Sequence, residues 1–421
     1  MSVQRLAMLS VHTSPLAPMG GKKTGGMNVY IRKLAQEFGR RGIAVDIYTR
    51  RISPNMPEVD SSLGENIRVI HITAGGAQPL NPDDVYPHLS QFTAGILAFC
   101  TRQAVQYDLV YSHYWLSGWV AYKLNEVWGT PFVHMYHTLG HMKNRIMPGH
   151  KTLLPDVRTN VETQITRWAN RIVAATPAEH AQLLWLYRAD RRKIAIASPG
   201  VDLQHFRPMP AELAKSRIGL PPEKNMLLFV GRIEPLKAVD TIIHALDVIR
   251  QHRPQLLENL TFKIIGGDPA DPNDAEMARL RQMVAELQLE PFVEFLGAKD
   301  QSQLPYYYAA AMAVVMPSDY ESFGMVALEA MASGTPVIAS EVGGLAFLVR
   351  DGHTGFLVPV RDPHTLAKRV TWMLQHPEEQ QQMRQAAADL AQQYAWSEVA
   401  SQLLTIFEEV LAERRVSRHK S

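Results

Sequence analysis

The chain has 421 residues, room for two domains or three, with 46% apolar residues, 20% charged residues and a formal net charge of +2. That balance is ordinary for a globular protein and creates no field that would draw a polyanion, so nucleic acid is not an expected partner. Its single cysteine, Cys100, excludes a disulfide framework and fits a reducing compartment.

Residues 6–11 form the first apolar run. It is too short for a signal-peptide core or a membrane span, which predicts a cytoplasmic protein without stable membrane insertion. Further runs at 44–48, 67–72, 109–112, 132–136, 172–175 and 194–197 read as strands, with helical patterns at 28–41, 85–103, 160–168 and 177–187. Several runs are apolar almost throughout, as strands covered on both faces by helices should be. Cys100 reads as a small buried hydrophobe. The rhythm repeats in the second half, with strands at 226–230, 261–265, 292–295, 313–316, 336–339 and 355–358. Two successive β/α series predict an α/β protein of two doubly wound, Rossmann-like parallel sheets. The prolines of Phe206-Arg207-Pro208-Met209-Pro210 mark the expected boundary, giving domains 1–207 and 208–395. An amphipathic helix at 397–414 has no strand after it. The basic tail Arg414, Arg415, Arg418, His419 and Lys420 reads as a solvated terminus rather than a lipid anchor.

The strongest chemical signal is Glu321-Ser322-Phe323-Gly324-Met325-Val326-Ala327-Leu328-Glu329, which follows the run 313–316 and opens a helix. Doubly wound sheets bind ligands at such strand ends. Ser322, Phe323 and Gly324 would present free backbone N–H groups at a helix N-terminus, which attracts a diphosphate. Gly324 lets a ligand approach the backbone closely. Glu329 lies eight residues beyond Glu321, roughly 12 Å along a helix axis, so a ligand with a sugar at one end and a ribose at the other could meet both carboxylates. A solvated acidic face is the bland alternative, but Ala327, Leu328 and Ala330 make the surroundings apolar. The second signal is Gly231-Arg232-Ile233-Glu234-Pro235-Leu236-Lys237 after the run 226–230. Two cations leaving one strand end can neutralise a departing diphosphate.

The third signal is the turn Thr24-Gly25-Gly26-Met27-Asn28, which is Gly-rich but lacks the dinucleotide-binding spacing. The fourth is His137-Thr138 beside Ser112-His113-Tyr114-Trp115, at two strand ends; for His113 a satisfied core histidine is an even alternative. No cysteine or carboxylate spacing joins these histidines into a zinc-ligand set, so no metal site is expected.

Together these residues resemble the family-4 glycosyltransferases of the GT-B fold, over nearly the whole chain. Glu321 and Glu329 are similar to the family's E-x7-E motif, and Arg232 and Lys237 to its diphosphate-binding pair. The likeness is closer to the mycothiol-pathway inositol-phosphate N-acetylglucosaminyltransferases, through His12-Thr13-Ser14-Pro15, Gly25-Gly26-Met27-Asn28-Val29-Tyr30, Asp46-Ile47-Tyr48-Thr49-Arg50 and Ser112-His113-Tyr114-Trp115-Leu116-Ser117-Gly118. Sucrose-phosphate synthases are next: His137-Thr138-Leu139-Gly140 resembles theirs, although they carry Gln where this chain has Met27.

The resemblance implies a retaining glycosyltransferase whose two domains face a cleft, the first binding the acceptor, the second the nucleotide-sugar donor, with helix 396–414 crossing back to the first. Donor-binding positions would be Gly25, Gly26, Gly231, Arg232, Lys237, Glu321, Ser322, Phe323, Gly324, Met325 and Glu329. Of these Glu321 would hold the sugar, Glu329 the ribose, and Arg232 and Lys237 the departing diphosphate, with His137 on the sugar's hydroxyls near the reacting carbon. Acceptor-binding positions would be Asn28, Tyr114, Thr138 and Arg158. The family's acceptor-phosphate Lys has no counterpart in Leu80-Asn81-Pro82-Asp83-Asp84-Val85-Tyr86, where Pro82 is the expected occupant. No cofactor is implied, because the nucleotide sugar, a UDP sugar, is a co-substrate. The partners implied are small-molecule substrates, with the oligomeric state left open, a homodimer included. A nucleotide-sugar epimerase, a non-catalytic binding relative and a sucrose-phosphate-synthase-like enzyme are the competing readings.

Overall fold

The computed structural model describes residues 2–17, 25–146, 155–271 and 274–418. Thr24 and the end of the basic tail, His419 and Lys420, lie outside the described residues. The chain divides into two compact units.

Unit 1 takes in residues up to Ser198 and the final helix from Trp396. Its strands are β1 (Arg5–Leu9), β2 (Ala44–Arg50), β3 (Val59–Asp60), β4 (Ile67–Ile72), β5 (Leu109–His113), β6 (Phe132–Met135), β7 (Arg171–Ala174) and β8 (Ile194–Ile196). They form one sheet in the order β3-β4-β2-β1-β5-β6-β7-β8. All its pairs are parallel except β3–β4 at the edge, an antiparallel pair absent from the sequence reading. The order reverses between β1 and β5, so both connections leave the sheet there in opposite directions.

The first helix, Gly26–Arg40, buries Tyr30, Ile31, Leu34, Ala35 and Phe38, a helical spacing of apolar positions. It ends at Gly42, whose φ of 81° suits a residue without a Cβ. The final helix, Trp396–Arg418, packs Phe407 between Phe38 and Tyr111, with ring centroids 6.0 and 5.2 Å away. Arg41 Nη2 also donates to Ser397 O at 2.6 Å. Burying Phe407 alone contributes about 2–3 kcal/mol to this docking.

Unit 2 holds Pro199–Ala395. Its strands are β9 (Asn225–Val230), β10 (Leu260–Ile265), β11 (Val293–Gly297), β12 (Ala313–Met316), β13 (Val337–Ser340) and β14 (Gly355–Val358). They pair in parallel in the order β11-β10-β9-β12-β13-β14, reversing between β9 and β12. Every residue of β12 is buried, which is why its sequence is apolar without alternation. The change of unit falls at Ser198–Pro199, earlier than the 207/208 boundary read from the prolines. Val201 bridges to Ala395 and its N–H donates to Tyr394 O at 2.8 Å, while His205 Nε2 lies 2.9 Å from Gln301 O. These bonds fasten residues 199–207 to unit 2 before the prolines are reached.

Among the described residues no helix is long and apolar enough to cross a membrane. Cys100 is buried and its Sγ lies 3.2 Å from Tyr48 Oη.

Candidate functional site

In unit 2 the site is assembled where the strand order reverses. Gly231 and Arg232 follow β9, and the loop continues through a short 3-10 turn, Pro235–Lys237, into the helix Val239–His252. From β12 the chain runs through Ser318 to Gly324, which caps the helix Met325–Ala332 with a φ of 103°. The two loops meet: Asp319 N–H donates to Leu236 O at 2.9 Å, and Lys237 Nζ donates to Glu321 Oε2 at 2.5 Å. Both side chains of that pair are 18% exposed. Arg232 is exposed and paired with Glu234 at 2.6 Å, so each of the two cations of this loop has a carboxylate partner.

Glycines make room for this arrangement. A Cβ on Gly344 would lie 2.2 Å from Phe323 Cα, and one on Gly343, whose φ is 44°, would lie 2.1 Å from Glu321 O. The Gly344 N–H donates to that same carbonyl at 2.9 Å. The loop Glu321–Gly324 is therefore seated on the start of the helix Gly343–Leu348. A Cβ on Gly266 would sit 1.8 Å from Gly231 O, so the end of β10 presses equally closely on the end of β9.

Glu329 lies in the helix Met325–Ala332 and is 8% exposed, with Tyr308 Oη–H donating to Oε2 at 2.8 Å. Burial pushes its pKa up from the usual carboxylate range to about 7, the Tyr308 bond opposing. Ser322 and Met325 are half-buried, and Phe323 is 3% exposed.

In unit 1 the corresponding strand ends carry the second set of residues. Asn28 opens the helix Gly26–Arg40, and its side chain is committed within the fold. Nδ2 donates to Thr13 Oγ1 and Ser14 O, both at 2.7 Å, and Oδ1 accepts from Gly25 N at 3.3 Å. Asn28 thus ties the segment after β1 to the Gly25–Gly26 turn instead of presenting a free amide.

His113 closes β5 and is fully buried; His137 follows β6. Their rings meet through His113 Nδ1 and His137 Nε2 at 3.1 Å. Burial, then the neighbouring His12, lowers the His137 pKa to about 3, and burial pushes His113 well below its usual value. Both imidazoles are therefore neutral at ordinary pH, so His137 can donate or accept hydrogen bonds but carries no charge. Two residues here hold left-handed backbones that non-glycine residues rarely adopt: Tyr114 at φ 72° and His137 at φ 61°. Tyr114 does not end a strand, as the sequence reading had it, but begins the helix Tyr114–Trp128.

Arg158 joins Tyr114 and Thr138. Its Nη1 donates to Tyr114 Oη at 3.1 Å, and its Nη2 to Thr138 O at 2.9 Å and Thr138 Oγ1 at 3.2 Å. Three of the four expected acceptor residues are thus adjacent. Arg158 lies inside the helix Pro155–Trp168, which begins earlier than the expected residue 160. The side chain is also less free than a solvated helix-start residue would be: Arg158 is 5% exposed and Nε donates to Glu162 Oε1 at 2.7 Å. Glu162 is wholly buried and also accepts from Gly140 N and Tyr187 Oη. Sequence reasoning missed Glu162, although its spacing from Arg158 is that of a helical ion pair. Among the described residues no group of three or more His, Cys, Asp or Glu could hold a metal ion.

Residues 211–390 match the family described as "Glycosyl transferases group 1", and residues 24–205 match "Glycosyltransferase Family 4". The chain is 38% identical to D-inositol 3-phosphate glycosyltransferase 2 of Catenulispora acidiphila, over 99% of this chain and 97% of that one. It is 40% identical to the D-inositol 3-phosphate glycosyltransferase of Kineococcus radiotolerans, over 99% and 98%. Among solved structures, sucrose-phosphate synthase from Thermosynechococcus elongatus superposes with a TM-score of 0.87 at 32% identity, covering 97% of this chain and 100% of that one. Anabaena HepE, solved with UDP, shares the fold at a TM-score of 0.74 and 20% identity, over 96% and 100%. With whole-length relatives at this identity and two parallel-sheet α/β units, the chain belongs to the family-4 glycosyltransferases of the GT-B fold.

Proposed function

We propose that this glycosyltransferase is retaining and moves a hexosyl or N-acetylhexosaminyl group from a UDP sugar to a small phosphorylated polyol of the inositol-phosphate kind. The observation that carries the donor half is the meeting of Lys237 with Glu321 where the unit 2 strand order reverses. Arg232 and Lys237 would take the charge that builds on the departing diphosphate, Glu321 the sugar's hydroxyls and Glu329 the ribose. His137, a neutral imidazole, suits hydrogen bonding to the sugar and not proton donation from a charged ring. In a same-face reaction the bond from the anomeric carbon to the phosphate oxygen breaks as the acceptor oxygen bonds to that carbon. The leaving phosphate oxygen takes the acceptor's proton, so no side-chain base is needed.

The acceptor half is supported by relatives named for D-inositol 3-phosphate and by the adjacency of Tyr114, Thr138 and Arg158. No cofactor enters this reading, and because two cations serve the diphosphate, a chelator is expected to leave turnover unchanged. A second reading, transfer to a hexose phosphate, is favoured by the 32% identity to a sucrose-phosphate synthase. A matrix of nucleotide sugars against inositol phosphate, fructose 6-phosphate and their unphosphorylated forms, read by mass spectrometry, decides between them. Product from UDP sugar and inositol phosphate supports the proposal; product only from fructose 6-phosphate supports the second reading; product only from unphosphorylated acceptors overturns both.

A further inference from the structure

Arg361 follows β14 with a left-handed φ of 57°, a conformation that favours glycine. Its guanidinium has five N–H donors, and all three of its nitrogens hydrogen-bond to other loops or helices. Nε donates to Asp319 Oδ1 at 2.7 Å. Nη2 donates to Asp319 Oδ2 at 2.6 Å and to Pro235 O at 2.9 Å. Nη1 donates to both oxygens of Asp240, at 2.9 and 3.0 Å. The three partners come from separate places: Pro235 from the loop after β9, Asp240 from the start of the next helix, and Asp319 from the loop after β12. Lys237 lies two residues beyond Pro235 and Glu321 two residues beyond Asp319 in the chain, and the two side chains bond to one another.

We infer that Arg361 is a positioning residue for the donor site, tying the loop that carries Lys237 to the loop that carries Glu321. Resting on the donor reading proposed above, the inference adds a residue with no place in the Glu321–Glu329 or Arg232–Lys237 motifs. Bidentate guanidinium–carboxylate bonds fix both distance and plane, which a lysine cannot do. A network of several charges holds better than isolated surface pairs do. The side chain is 41% exposed, so the residue adds little to a core; what it adds is the relative placement of two loops. Loops misplaced by about 1 Å can cost a factor of up to a hundred in rate or binding.

The test uses the full chain and three proteins: wild type, Arg361→Gly and Arg361→Lys. Glycine suits the left-handed backbone, so Arg361→Gly should keep the wild-type melting temperature. It should raise the Kd for UDP and the KM for the donor about tenfold while leaving the acceptor KM unchanged. Arg361→Lys should not recover the loss. Millimolar guanidinium ion should restore part of the Arg361→Gly deficit, and equal sodium chloride should not. Wild-type UDP affinity in Arg361→Gly overturns the inference. If the wild type binds no UDP, the donor reading fails, and amide exchange still decides the tether: faster exchange at Lys237, Ala238 and Asp319 in Arg361→Gly supports it, and unchanged exchange overturns it.

Discussion

Among single residues, burial separates side chains whose loss reports on chemistry from those whose loss reports on folding. Lys237 is 18% exposed and has one carboxylate partner, Glu321. Lys237→Ala should therefore lower stability by only about 1 kcal/mol while lowering turnover about a hundredfold, the usual effect of removing one charge-stabilising donor. Steady-state rates beside a urea melt check this; a normal rate or an unfolded protein would contradict it. Arg158 behaves differently. Removing it strands the wholly buried Glu162, a loss of about 3–5 kcal/mol. Arg158→Ala is accordingly expected to lower the melting temperature sharply, whatever it does to the acceptor. Thr138 is exposed, and Thr138→Ala removes the hydroxyl that Arg158 Nη2 reaches while leaving the Thr138 carbonyl bonded to that same nitrogen and the Arg158–Glu162 pair intact. It should raise the KM for a phosphorylated acceptor about tenfold and leave the donor KM and the melt unchanged, since a hydrogen bond to a charged group contributes about 1.5 kcal/mol. Equal KM values for mutant and wild type would remove Thr138 from the acceptor site.

Among elements, the decisive contacts are close approaches of backbone to backbone. The loop Glu321–Gly324 rests on Gly343 and Gly344, with no space for a methyl group. Gly344→Ala must displace Phe323 or the helix Gly343–Leu348. A loss of about 1–3 kcal/mol is expected, together with a weaker Kd for UDP, because the displaced segment leads directly into the helix Met325–Ala332. Calorimetric UDP titration alongside urea unfolding measures both; unchanged binding in a destabilised protein would separate the loop from the donor. These close approaches also mark how far the sequence could be read. The strands were legible because burial on both faces makes them apolar throughout, as in Ala313–Met316. The two-residue strand Val59–Asp60 left no such run. Glu321, Lys237 and Thr138 stand out because their residue types follow strand ends, whereas Arg158 is legible only through the family resemblance. Arg361 did not, because its partners Asp319 and Asp240 are 42 and 121 residues away in the chain and no local period links them. The amide of Asn28, a position expected to face ligand, holds Thr13 and Ser14, because a helix-opening Asn has backbone and neighbours to satisfy first.

At the scale of the whole molecule, the two units carry opposite responses to acid. Unit 1 holds His12, His113, His134 and His137, with His113 and His134 fully buried. Burial lowers the pKa of His12, His134 and His137 from 6.5 to about 3, and that of His113 well below 6.5. Below pH 6.5 the unfolded chain protonates histidines that the folded unit keeps neutral, so this stability is present above 6.5 and lost as pH falls toward 3. Each fully buried histidine removes up to about 1.4 kcal/mol per pH unit. Glu179, 3% exposed, opposes them: burial raises its pKa from 4.5 to about 7, so its contribution grows as pH falls through that window. One such carboxyl cannot offset the histidines. Unit 2 has Glu329, raised from 4.5 to about 7, whose contribution likewise grows as pH falls from 7 to 4.5. Unit 1 is therefore expected to open first in acid. Hydrogen exchange read by peptide at pH 7 and pH 5, corrected for the intrinsic rate, should show protection falling in β5 and β6 while β12 and the helix Met325–Ala332 hold or gain. Glu329→Gln should flatten the response of unit 2 alone, because the amide cannot ionise. Loss of protection in unit 2 before unit 1 would mean that the buried histidines do not govern the acid limit.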